Sequence, residues 1–103
     1  MTVIALFLSA LAVSMAFKLV LDLDTPFDFV NDCDIIGGNS GSPVLDKDAK
    51  VVGLVFDGNI HSLGGNYAYD PKNNRMVAVH SAAIVEALDK IYGANRIVGE
   101  LDR

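Results

Sequence analysis

The sequence predicts a mainly β domain closed by a C-terminal α-helix and preceded by an apolar N-terminal helix. Three observations predict it. From Lys18 onward, short apolar runs rich in β-branched residues alternate with clusters of Asp, Asn and Gly, as strands alternate with turns. Near the C-terminus, Ile84, Val85, Leu88, Ile91 and Tyr92 recur at helical spacing. At the N-terminus, residues 3–17 read VIALFLSALAVSMAF, fifteen residues without a charge.

Taken in order, residues 3–17 would make a helix of roughly 22 Å, short of the roughly 30 Å of a bilayer core. The length suits a secretory signal, and Ala10-Leu11-Ala12 and Ser14-Met15-Ala16 resemble small-residue cleavage sites. No Lys or Arg precedes the run, so a short anchor, a buried helix and a stray leader of a truncated reading frame remain open. Residues 1–17 are read as this leader and 18–103 as one domain. Phe27-Asp28-Phe29-Val30 alternates with period two and predicts a strand entered through Pro26. Pro43-Val44-Leu45 and Val51–Phe56 predict a hairpin across Asp46-Lys47-Asp48-Ala49, where Asp favours the turn through side-chain bonds to nearby backbone. Asn66–Asp70 and Arg75–His80 predict a second hairpin across Pro71–Asn74. Ser81 is the expected N-cap of the closing helix, and Gly93 suits its left-handed end.

Composition removes several functions. The chain has 103 residues and a net charge of −5, with 51% hydrophobic and 20% charged residues. No basic stripe is present, so no nucleic-acid partner is expected. The single cysteine, Cys33, excludes an internal disulfide framework. Its neighbours Asp32 and Asp34 discourage a reactive thiolate. No His, Cys and carboxylate spacing suggests zinc, and Asp22–Asp34 lacks a calcium-loop pattern. No cofactor is implied.

Chemistry concentrates in Gly37-Gly38-Asn39-Ser40-Gly41-Ser42-Pro43-Val44. An acyl-transfer site needs a serine hydroxyl clear of its backbone, and amide N–H groups converging where a carbonyl oxygen turns negative. It also needs glycines for the tight turn and a strand that anchors the loop. In such a turn Ser40 is the nucleophile, and the N–H groups of Gly38 and Ser40 form the oxyanion hole. A Gly/Ser-rich hairpin loop without chemistry is the plain alternative. A phosphate-binding loop fits poorly, because no Lys-Ser/Thr pair follows the glycines. An α/β-hydrolase elbow fits poorly too, because a strand and not a helix follows Ser40.

This segment, together with Val-Gly-Leu-Val-Phe-Asp-Gly-Asn at residues 52–59, resembles the bacterial serine dipeptidyl-peptidases of the dipeptidyl-peptidase 7 and 11 type. The resemblance spans roughly Leu21 to Leu101, with Asp22-Leu23-Asp24-Thr25-Pro26-Phe27 and the closing helix included, and leaves out the first seventeen residues. It implies a periplasmic or cell-surface exopeptidase with a chymotrypsin-like double β-barrel and an added helical domain. Residues 18–103 would be the C-terminal half of that double barrel. Asp57 would lie beside the substrate's free α-ammonium, where a carboxylate makes a charge-assisted hydrogen bond and sets a two-residue distance to Ser40. Gly58 would sit where the family sets side-chain specificity. Acid-selective relatives carry arginine there, so glycine implies a roomy, uncharged pocket with apolar or broad preference. Read without the resemblance, Asp57-Gly58 is an ordinary turn signal. Asn39 departs from the digestive proteases of animals, whose aspartate at this place pairs with a newly cut N-terminus.

A serine hydroxyl needs a base, and the base an orienting carboxylate. The resemblance places both on an upstream barrel. His61 and His80 are read as ordinary surface or packed histidines, so the chain is expected to be inactive alone. The implied partners are peptides with a free N-terminus and the upstream barrel that carries the His and Asp of the triad. A non-enzymatic binding or structural module on the same half barrel is the alternative. In either case an uncovered apolar face would favour a homodimer.

Overall fold

The computed structural model describes residues 20–102. The apolar helix expected over residues 3–17 lies outside them. The chain divides into two compact units, one of Pro26–Ile84 and one taking the described residues on either side, 20–25 and 85–102.

The first unit is a four-stranded antiparallel sheet of order β1-β4-β3-β2, formed by β1 (Asp28–Asn31), β2 (Pro43–Leu45), β3 (Val51–Gly58) and β4 (Met76–His80). The predicted β2–β3 hairpin is present, with Pro43 opposite Leu54 and Val44 opposite Gly53. Its turn closes as the composition suggests: the Asp46 carboxylate accepts from the N–H groups of Asp48 and Lys50. Ala49 then takes a left-handed φ of 62°. Val44, Val55, Met76 and Ala78 form the buried cluster of the sheet, with Phe29, Ile35 and Val52 packed against them.

The second predicted hairpin does not form. Both edges of β4 are already filled, by β1 and by β3, so no edge is left for Asn66–Asp70. The chain after β3 makes a 3-10 helix, Ile60–Gly64, instead. Tyr67 and Ala68 then donate to the Gly64 carbonyl, and the Tyr69 hydroxyl donates to the Asp32 carbonyl. The predicted turn at Pro71–Asn74 is present. Asn73 and Asn74 donate to the Asp70 carbonyl, and the Asp70 carboxylate accepts from the Lys72 N–H and the Asn73 amide.

The closing helix, α1, runs over Ser81–Lys90. Ser81 is its first residue and not its cap. The His80 ring caps it, with Nδ1 accepting from the Ala82 N–H at 3.0 Å. A ring nitrogen reaching the first turn satisfies the same free amide that a serine oxygen would. The same ring stands edge-on to Phe29, with centroids 5.7 Å apart. In the other unit, Gly93 has the expected left-handed φ of 59°, and the Ala94 N–H returns to the Leu88 carbonyl. A short second helix, α2 (Asn95–Leu101), follows. No helix among the described residues is long and apolar enough to cross a membrane.

Candidate active site

Ser40 lies in a loop that β3 holds from one side. The Gly41 N–H donates to the Val55 carbonyl at 2.7 Å, and the Val55 N–H donates to the Ser42 carbonyl at 3.0 Å. The serine is therefore one residue away from a backbone clamp on the strand that carries Asp57. The loop is also stapled internally. The Asn39 side chain accepts from the Ile36 N–H at 2.8 Å, and the Ser42 N–H donates to the Asn39 carbonyl.

Gly38 and Gly41 on either side of Ser40 have φ of 102° and 87°. Only glycine adopts such angles without strain, which is why the loop can reverse this sharply. Ser40 is exposed. Among the described residues, neither the Gly38 nor the Ser40 N–H has a hydrogen-bond partner. An oxyanion site draws on free amides of this kind; Ser40 lines the cleft beside the loop and Gly38 does not.

Asp57 reaches the same cleft through a break in β3. Register shifts between Val55 and Asp57, so that Val55 faces Ala78 while Asp57 faces Val77. Phe56 is thus an extra, exposed residue in the strand. A bulge re-aims the side chains that follow it. In an unbroken strand Asp57 would share a face with Val55, which is buried at 6% exposure. With the bulge, Asp57 is exposed and its carboxylate accepts from the Gly58 N–H at 2.8 Å.

The cleft has a volume of about 360 Å³ and brings together Ser40, Asn39, Asp57 and Gly58, with apolar walls from Ile35, Ile36, Phe56 and Leu63. Asp57 is the one charged residue lining it among the described residues. The three side-chain positions singled out in the sequence, 40, 57 and 58, therefore share one cavity. The cleft is uncharged apart from Asp57, but it is not roomy at Gly58. A Cβ there would come within 3.1 Å of Ser62 Cβ and 3.3 Å of Ile35 Cδ1. Sequence reasoning missed Ser62, which carries no local signal. Its hydroxyl donates to Asn59 Oδ1, and Asn59 Oδ1 also accepts from the Arg75 N–H. That amide side chain ties the 3-10 helix to the start of β4.

His61 is exposed and His80 caps α1, and neither lines the cleft. Cys33 is an exposed free thiol in a neighbouring cavity with Asp34, Ser42 and Val44. Among the described residues, no group of His, Cys, Asp or Glu is arranged to hold a metal ion.

Ser40, in a glycine-flanked loop clamped to β3, and Asp57 thus line one apolar-walled cleft. The peptidase S46 profile matches residues 17–103, and the chain belongs to that family. It is 40% identical over 73 residues to dipeptidyl-peptidase 7 of Capnocytophaga gingivalis, which covers 71% of this chain and 10% of the relative. It is 35% identical over 77 residues to an Asp/Glu-specific dipeptidyl-peptidase of Shewanella putrefaciens, covering 75% of this chain and 10% of the relative. The crystal structure of Porphyromonas endodontalis DPP11 in complex with the dipeptide Arg-Glu superposes with a TM-score of 0.73 at 29% identity. That match covers 92% of this chain and 14% of the solved one. The chain thus spans about a tenth of the length of the curated relatives it matches.

Proposed function

We propose that this chain carries the nucleophile, the oxyanion hole and the amine anchor of a serine dipeptidyl-peptidase that releases dipeptides from free N-termini. Ser40 Oγ attacks the carbonyl carbon of the second substrate residue, and the amine of the third residue leaves. The Gly38 and Ser40 N–H groups receive the oxyanion. Asp57 binds the α-ammonium, and Gly58 borders the pocket for the second side chain. The base and its orienting carboxylate come from the other half of a chymotrypsin-like double barrel. On this reading the enzyme acts in the periplasm or at the cell surface, as in the resembled family. With Asp57 as the one charged residue lining the cleft among the described residues, apolar or varied second side chains are accepted in preference to acidic ones.

The observation that carries the reading is the pairing of an exposed Ser40, flanked by two unpartnered amides, with Asp57 in one cleft. The bound dipeptide of the Porphyromonas endodontalis relative supports an occupant of that size. A dipeptidyl-coumarin substrate tests it, offered to the chain alone and to the chain mixed with the upstream portion of the Capnocytophaga gingivalis relative. Turnover is expected in the mixture only, and Ser40→Ala should lower it by about a thousandfold or more. Turnover that survives Ser40→Ala rejects the assignment. Asp57→Asn should lower kcat/KM by about a hundredfold, as expected when one partner of a charge-assisted contact is lost. It should also erase any preference for a free over an acetylated N-terminus.

A further inference from the structure

Asp57 is the one aspartate of this chain followed by glycine, and no asparagine is followed by glycine. The structure holds the two groups of that pair in contact. The Gly58 N–H donates to Asp57 Oδ1 at 2.8 Å. The carboxyl group therefore lies against the nitrogen of the next residue instead of being turned away from it. Bringing two reacting groups into such proximity removes much of the entropic barrier to their reaction.

Strand backbone usually resists ring closure, because ladder bonds hold it on both sides. Here the restraint is one-sided. The β2 side of β3 is occupied only as far as Val55, through Gly41 and Ser42. Past the Phe56 bulge, Asp57 and Gly58 pair with Val77 and Met76 alone, and their other side borders the open cleft.

We propose that Asp57–Gly58 is a site of succinimide formation and isoaspartate conversion in the folded chain. The Gly58 nitrogen bonds to Asp57 Cγ and gives up its proton. One carboxyl oxygen, carrying two protons, leaves as water. Water then opens the five-membered ring at either carbonyl. Attack at the former main-chain carbonyl leaves the chain running through Cβ and Cγ, with a new carboxylate on Cα. No oxidant or other co-reactant is needed. The product has one more methylene in β3 and its carboxylate in a new place. The packing keeps the weak point in being: a side chain at position 58 would press on Ser62 and Ile35, so the glycine that permits closure cannot be exchanged without moving both.

The modification does not rest on the peptidase reading. The test incubates the whole chain, folded and urea-unfolded, at mildly acidic pH and body temperature. Isoaspartate at each aspartate is then quantified by peptide mapping with isoaspartyl methyltransferase labelling. In the folded chain, position 57 should convert about tenfold faster than any other aspartate, and within about threefold of its rate in the unfolded chain. Asp57→Glu, which must close a larger ring, should lower conversion there by about a hundredfold. Conversion at 57 no faster than at the other aspartates overturns the proposal. So does conversion confined to the unfolded chain, a comparison that stands whether or not the variant folds.

Discussion

Asn39 shows how one side chain can shape a site without taking part in its chemistry. Its oxygen occupies the Ile36 N–H and its carbonyl accepts from Ser42, so the loop is pinned before and after the serine. Asn39→Ala frees a backbone amide and should loosen the loop, visible as faster hydrogen exchange at Ile36 and Ser42. The sequence marked Asn39 only as a substitute for aspartate, because a side-chain bond to a residue three back leaves no trace in spacing. Ala49 shows a residue accepting a conformation that suits it poorly. A non-glycine at a φ of 62° carries strain, and Ala49→Gly should stabilise the chain by about 0.5–1 kcal/mol, read as a higher urea midpoint. His80 is the opposite case, a residue whose worth is structural. His80→Ala loses the cap on Ala82 and the edge contact with Phe29, and should cost about 1–2 kcal/mol.

Among the elements, the β2–β3 hairpin was legible because turn chemistry and apolar alternation agree over one short stretch. The segment between β3 and β4 was not. Its residues carry turn signals compatible with a hairpin, and the deciding fact is long-range: β1 returns to fill the edge of β4 that Asn66–Asp70 would have needed. The Phe56 bulge was equally hidden, since a strand's apolar run looks the same with or without an extra residue. The turn into β4 has its own pH signature. The Asn73 side chain, and then the Lys72 N–H, hold the Asp70 carboxyl below the usual carboxylate range. A depressed carboxyl contributes stability above its unfolded pKa of about 3.9 and loses it as pH falls through the lower folded value. Asp70→Asn should therefore lower the unfolding midpoint near neutrality and flatten its fall as pH drops from the unfolded value through the lower folded one, so that the two chains converge in strong acid.

For the molecule as a whole, the buried apolar core of the described residues is small, while Phe27, Val30, Ile60, Leu63 and Tyr67 are each more than 60% exposed. Exposed apolar side chains in that number favour association. The isolated chain should bind a hydrophobic dye and associate as concentration rises; a monomer at all concentrations with no dye binding would contradict this. Met76, at 1% exposure, anchors what core there is, and Met76→Ala should cost about 2–5 kcal/mol, enough to abolish a cooperative urea transition. The placing of Ser40, Asp57 and Gly58 around one cavity was legible only through the family resemblance, because Asp57-Gly58 taken alone reads as an ordinary turn. Their separation was not, because it depends on how a loop docks on a strand. That docking runs through main-chain hydrogen bonds, from the Gly41 N–H to the Val55 carbonyl and from the Val55 N–H to the Ser42 carbonyl. On the proposed roles, it acts as a ruler. Surface substitutions can retune which peptides are accepted, yet the number of residues clipped per turnover stays fixed unless the backbone itself is lengthened between Val55 and Asp57.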